Sequence, residues 1–337
     1  MSYPPYIPYQ NFGMYQVTQA AKHDLRRTAN RLCWTLIIAM FGMSFLTIGC
    51  QSLLHAFGIT GDFSNPDFNG MPPVLYYLSD GMGYVVGLAV PVLLFFAIWK
   101  IPLDDALAFH KAGFAKTAAC VFFGTAVCML ANIPANIVVN LEKAMGFSGK
   151  MPEMPLTDDP SVLVLYFITI AVIPPVVEEL MFRGMILHGL RRFGDGFAIV
   201  ASALLFGLYH GNFVQFVFAF LAGLAMALVV VRTGSLWTSI LIHFVNNSIS
   251  VGLEMVQRYY GEEFANQVNY AVMAAMLALG LFALIWLMIK EKRFFRLGPP
   301  DPLLRMSAKL GAVFSNPGGV ALLLIFCFSS IIILTRY

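Results

Sequence analysis

The sequence predicts an all-α fold: a polytopic transmembrane helical bundle with an eight-helix core, to which a ninth, C-terminal helix can be added. Three observations predict it. Hydrophobic residues make up 59% of the 337 residues and charged residues only 12%, against about a quarter in a soluble domain. Nine apolar segments each approach the ~20 residues needed to cross a bilayer. Lysine and arginine collect in alternate loops, the pattern that fixes orientation in a membrane.

The charge deficit has a direct cause. Placing a charged side chain at the bilayer centre costs about 2.5–3.5 kcal/mol on insertion scales, so a chain whose solvent is lipid sheds such residues. The 18 methionines and 30 phenylalanines fit the same reading. The nine segments run over 32–57, 74–99, 114–139, 161–182, 197–211, 213–231, 236–256, 268–289 and 318–335. The fifth is short, and the fourth continues as a helix past the membrane to about Leu190. All must be helical, because hydrocarbon satisfies no backbone hydrogen bond.

Loop charges set the direction. Lys22, Arg26, Arg27 and Arg31 precede the first span, and Lys100, Lys111 and Lys116 lie between the second and third. Arg191 and Arg192 follow the fourth, Arg232 the sixth, and Lys290, Lys292, Arg293, Arg296, Arg305 and Lys309 the eighth. The loop 58–73 has no lysine or arginine and carries Asp62 and Asp67. The N-terminus is therefore expected in the cytoplasm, and nine spans leave the C-terminus outside. Residues 1–31 read as a cytoplasmic arm, disordered or lying at the interface. Residues 32–290 form the core, with the chemistry in 161–250. Residues 291–317 are a basic cytoplasmic linker, and 318–337 the last transmembrane helix.

Composition also excludes. A net charge of +3 argues for no nucleic-acid partner; the partners implied are the lipid bilayer and whatever the site acts on. Residues 1–21 have no apolar stretch and no small-residue cleavage site, so no cleavable signal is read. The five cysteines lie in apolar segments without zinc-site spacing and read as small core residues.

Ionisable residues inside spans are functional candidates by default, and three clusters qualify. The first is Glu178-Glu179-x-x-x-Arg183, after Pro174-Pro175. On a helix Glu179 and Arg183 are i,i+4 neighbours able to pair, while Glu178 is turned about 100° away toward another partner. One carboxylate is then neutralised by the arginine and the other kept as a tunable general base. The second is Phe206-x-x-x-His210, and the third His243-x-x-x-Asn247, again an i,i+4 pair. Taken singly, each has a bland reading: a helix-end charge cluster, a hydrogen-bonded packing histidine, an interhelical polar pair. Depth joins them. Glu178 and His210 each lie roughly 20–25 Å from the turn at 193–196 along their helices, and His243 roughly 10 Å into its own, at 1.5 Å per residue. Asn132, Pro134 and Asn136 mark a helix irregularity lining the same cavity, His188 reads as a surface residue, and Gly83 and Gly87 have small-xxx-small packing spacing.

These three motifs, in this order and each on its own apolar segment, resemble those of the CAAX-protease and bacteriocin-processing (Abi) family of intramembrane endopeptidases, similar to the type II CAAX prenyl endopeptidase. The resemblance covers about 161–250. It implies an eight-helix core around a conical cavity open to the cytoplasm and to lipid, and hydrolysis of a peptide bond near the membrane surface in a peptide or protein that is prenylated or otherwise membrane-anchored. It makes Glu178 the catalytic glutamate, with His210 helping it position and deprotonate water. His243 and Asn247 stabilise the oxyanion, while Glu179, Arg183 and Phe206 support the site. The family has been described both as metalloproteases and as glutamate-dependent proteases. Glu178, His210 and His243 could hold zinc with an open position, but there is no H-E-x-x-H and no evident further carboxylate to orient the histidines. The expectation is therefore a site without cofactor, with zinc as the alternative. The rival functions are a non-catalytic scaffold or bacteriocin-immunity protein, and a transporter relaying protons. The latter would usually show internal repeats, which are not seen.

Overall fold

The computed structural model describes residues 9–60, 68–148, 154–298 and 303–336. Asp62, Asp67, the tyrosine-rich start of the arm and residues 299–302 lie outside them. In chain order the helices are α1 (Tyr9–Ala56), α2 (Pro73–Trp99), α3 (Phe114–Ala144), α4 (Pro160–Arg191), α5 (Asp195–Tyr209), α6 (Phe213–Thr233), α7 (Leu236–Tyr260), α8 (Glu262–Lys290), α9 (Met306–Phe314) and α10 (Pro317–Arg336). A one-turn helix, Leu103–Ala106, lies between α2 and α3. Among the described residues the only strand-like pairing is an isolated bridge between Phe109 and Ser235. The protein is an all-α polytopic bundle.

Eight of these helices are long and apolar enough to cross a membrane, α10 included. The fifth expected span is not among them. At 15 residues, α5 rises about 22 Å, less than the ~30 Å hydrocarbon thickness. The turn that follows, Gly211–Asn212, therefore needs its backbone satisfied by protein. Ser329 Oγ and Ser330 Oγ of α10 donate to the Gly211 carbonyl at 2.8 and 3.2 Å, and Asn212 caps α6 by accepting from Gln215 N at 2.8 Å. Gly211 has φ +69°, a conformation that favours glycine. The C-terminal helix is thus an integral part of the bundle.

The amino-terminal arm differs from expectation too. It is helical from Tyr9 and continuous with the first span. Its polar part docks on the end of α4: Arg192 donates to Asp24 and Thr28 at 2.9 and 2.7 Å. The basic linker contains α9, whose Lys309 is buried and donates to the Phe193 carbonyl, so it is not the exposed loop charge that the sequence suggested. The cysteines are free. Cys33, Cys120 and Cys128 are buried, Cys50 is half-buried, and Cys327 is exposed on the bundle surface rather than in the core.

Small residues set the helix contacts around the site. Gly83 and Gly87 lie against Thr47 and Met43 of α1, where a Cβ would collide. That packing turns the neighbouring Tyr84 toward α4. Gly223 of α6 packs less tightly on Ala203 and Phe206 of α5, where a Cβ would come within 3.2 Å of both. α4 runs through the middle and is not a regular α-helix: Ile168–Val172 and Leu180–Leu187 are π-helical. The chemistry of the sequence accounts for the first of these. Pro174 and Pro175 supply no N–H, so the carbonyls one turn earlier lose their partners and the turn widens.

Candidate active site

The second stretch of π-helix begins directly after Glu179, and Glu178 and Glu179 stand at its start. Both carboxylates are buried, Glu178 at 3% exposure and Glu179 at 0%, so each needs compensation. They find it on opposite sides. Glu179 Oε1 accepts from Arg183 at 2.6 Å, the i,i+4 pair expected from the spacing. Arg183 also donates to the Gly223 carbonyl at 3.2 Å and lies 4.6 Å from the centre of the Phe206 ring. Glu178 Oε1 accepts from the Tyr84 hydroxyl of α2, which in turn accepts from the Tyr209 hydroxyl at 3.1 Å.

The two histidines are each anchored through Nδ1. His243 Nδ1 donates to Glu179 Oε1 at 3.2 Å, and its Nε2 lies 3.9 Å from Glu178 Oε2. His210 Nδ1 donates to the Phe206 carbonyl at 2.8 Å. In the neutral ring this leaves Nε2 of each histidine an acceptor. Phe206 packs edge-on to both, with ring centres 4.9 Å from His210 and 6.0 Å from His243. Glu179 is therefore the orienting carboxylate that the sequence did not reveal. It was hidden there because it is already paired along its own helix.

Asn247 Nδ2 donates to the Ile170 carbonyl at 2.9 Å. That carbonyl belongs to the first π-helical stretch, just where Pro174 and Pro175 withdraw the backbone donors. One amide hydrogen of Asn247 is thus committed to the break in α4, and its Oδ1 accepts from Asn246 at 3.2 Å.

Glu178, Phe206, His210, His243 and Asn247 all line one cavity of about 490 Å³, within the size of small-molecule and peptide pockets. Tyr84, Tyr209, Asp80 and Asn246 line it as well, as do Asn132 and Asn136, which the sequence had placed there. Glu179 and Arg183 stand behind the wall. Oε2 of Glu178, Oε2 of Glu179 and Nε of Arg183 are buried without a hydrogen-bond partner among the described residues. Of these three residues, only Glu178 faces the cavity. His188, read as a surface residue, is half-buried in a separate cleft beside Arg31 and Trp99.

Tyr84 and Tyr209 were not singled out from sequence. Tyr209 had a signal, its place next to His210; Tyr84 had only the neighbouring glycines.

Residues 160–249 match the family model of the type II CAAX prenyl endopeptidase, Rce1-like. The matched segment holds all three motifs and agrees with the CAAX-protease resemblance; it supports a peptidase acting on a peptide or protein in an integral, multi-pass membrane setting. No curated protein and no solved structure matches the chain. Tyr84 and the Asn132–Asn136 wall fall outside the matched residues. For a zinc ion, three donors must converge on one point. Among the described residues no group of three His, Cys, Asp or Glu side chains does so.

Proposed function

We propose that the protein is an intramembrane endopeptidase that hydrolyses a peptide bond in a membrane-associated or lipidated peptide or protein near the cytoplasmic face, with Glu178 as the general base. One observation carries the reading. Glu178 is buried at the cavity wall with Oε1 held by Tyr84 and Oε2 left without a protein partner. A carboxylate held through one oxygen, with the other free of any hydrogen bond and His243 Nε2 3.9 Å from it, is placed to accept a proton from a water molecule in the cavity.

In this scheme Glu178 takes a proton from water as the oxygen attacks the peptide carbonyl. The C–N bond then breaks, and Glu178 returns the proton to the departing amine. His210, with its Nδ1 hydrogen committed to the Phe206 carbonyl, offers Nε2 as an acceptor that helps orient the water. The oxyanion falls to His243 and Asn247. His243 can donate from Nε2 only when the ring carries its second proton, and Glu178 and Glu179 are the counterions for that form. Asn247 donates its second amide hydrogen, the first being held by Ile170. Preorganised donors of this kind contribute roughly 10²–10³-fold each in acyl-transfer enzymes. The cytoplasmic placement rests on the alternation of basic and acidic loops.

The test is mass spectrometry of membrane peptides from cells carrying the wild-type chain or Glu178→Ala. Specific fragments are expected with the wild type and absent from the variant, at equal protein abundance. Identical peptide profiles would remove the proposal.

A further inference from the structure

A second cavity, of about 410 Å³, lies where the ends of α3, α6 and α8 meet, and it is built from charge. Its walls are Lys116, Arg232, Lys290, Lys292 and Arg293, with Glu291 and Phe294 completing them. Glu291 pairs with Lys116 at 3.1 Å. Among the described residues the other four cations have no carboxylate within salt-bridge reach.

Basic residues at helix ends are expected of any cytoplasmic loop. Their convergence on one walled cavity is not, because like charges repel and exposed side chains are free to spread. Here the backbone holds them together. Beyond α8 the chain folds back in successive turns, Phe294 N to Glu291 O at 2.7 Å and Arg296 N to Arg293 O at 3.1 Å. Phe294 is 3% exposed and anchors that turn; Phe295 packs on Phe123 of α3 with ring centres 5.6 Å apart. Arg232 is fixed by donating to the Arg296 carbonyl, and its Nε is buried with no protein acceptor. A guanidinium held this way beside three further cations is arranged for a multidentate anion.

We infer that this cavity binds a phosphate-bearing anion, a phospholipid headgroup or a free phosphate, through Arg232, Lys290, Lys292 and Arg293. Its place at the ends of three membrane helices favours the headgroup, since basic pockets between such helices suit anionic lipids. The inference is independent of the protease reading, and no residue is shared with the cavity around Glu178.

The experiment uses the full chain purified in neutral detergent, with native mass spectrometry counting retained ligand. The probes are dioctanoyl phosphatidylglycerol, dioctanoyl phosphatidylcholine and inorganic phosphate. Saturable retention of phosphatidylglycerol is expected, at least tenfold tighter than phosphatidylcholine. Lys290→Gln/Lys292→Gln/Arg293→Gln alters exposed positions only and should weaken retention at least tenfold. Lys22→Gln/Arg27→Gln/Lys111→Gln removes the same charge elsewhere, also from exposed positions, and should change it less than twofold. Displacement of the lipid by inorganic phosphate would assign the recognition to phosphate as such, and its absence to the lipid headgroup. Equal retention of both lipids, or equal loss in the two triple variants, would overturn the inference.

Discussion

The hydroxyl of Tyr84 donates to Oε1 of Glu178 across 94 positions of sequence, from a helix outside the segment that matches the endopeptidase family. Tyr209 donates to Tyr84 in turn, so the carboxylate ends a chain of two phenols, and such chains strengthen each member. Tyr84 is a positioning residue: it holds Oε1 of Glu178 and leaves Oε2 without a hydrogen-bond partner. Tyr84→Phe keeps the ring and removes the donor. A buried hydrogen bond to a charged group is worth about 1.5–3 kcal/mol, so the variant should lose stability on that order. The freed carboxylate should lower kcat about 10- to 100-fold with KM nearly unchanged, a loss that stabilising conditions do not restore. Wild-type kcat in this variant would mean that Glu178 is held by other contacts.

Arg183 and Glu179 present a different balance. Both side chains are fully buried, paired at 2.6 Å, and Glu179 also holds His243. Arg183→Met leaves the carboxylate without its main counter-charge, and breaking a buried pair costs about 3–5 kcal/mol. The variant should show a large loss of thermal stability in detergent. Glu179→Gln/Arg183→Met removes both charges and should recover a good part of that stability, yet stay far less active because a neutral amide oxygen holds His243 less strongly than the carboxylate does. Full additivity of the single losses would show that the pair is not coupled.

Much of this site was legible in the sequence because charge inside an apolar segment has so few explanations. Glu178, Arg183, His210 and His243 stand out against leucine and phenylalanine, and the i,i+4 spacing of Glu179 and Arg183 was enough to pair them. Tyr84 did not stand out, since an aromatic residue belongs to the apolar background until its hydroxyl is seen to meet a carboxylate. The bond from His243 to Glu179 joins two helices, so no local spacing encodes it. The π-helical turns of α4 were equally hidden. Pro174-Pro175 signals that backbone bonds are lost, but not which carbonyls are freed or what replaces the donors. The fifth segment, read as 197–211, is as short as the helix Asp195–Tyr209 that the structure shows; what hydropathy does not register is the change of direction at Gly211, which keeps it from being a span of its own.

Asn247 allows a structural and a catalytic role to be separated. Its bond to the Ile170 carbonyl replaces a donor that Pro174 and Pro175 cannot supply. Asn247→Ala should leave that carbonyl unsatisfied, at a cost of about 1–3 kcal/mol in stability. The oxyanion role adds a loss of roughly 10²-fold in kcat that stabilising conditions do not restore. If activity returns fully when the variant is stabilised by lower temperature or added lipid, Asn247 only repairs the helix.

Zinc can be tested on the purified protein. Glu178, His210 and His243 line one cavity, but among the described residues no three donors converge. The expected result is less than one tenth of an equivalent of zinc by elemental analysis, with activity insensitive to chelators. Stoichiometric zinc together with chelator-sensitive, metal-restored cleavage would replace the glutamate-only scheme, and the Nδ1 anchors of both histidines would then be read as orienting metal ligands.

The C-terminal helix offers the last test, because its tie to the site is local. Ser329 and Ser330 both donate to the Gly211 carbonyl, one residue beyond His210, and α5 is too short to carry that turn across the apolar layer to water. Ser329→Ala/Ser330→Ala removes both donors and leaves the carbonyl unsatisfied where lipid cannot help. A destabilisation of about 1–3 kcal/mol should follow, with faster hydrogen exchange confined to the α5–α6 turn and lower kcat through the displacement of His210. Either single variant should cost much less, because one hydroxyl is enough to satisfy the carbonyl. A double variant no worse than the singles would mean that the turn is supported from within its own hairpin, by the Asn212 cap and the Gly211 backbone alone.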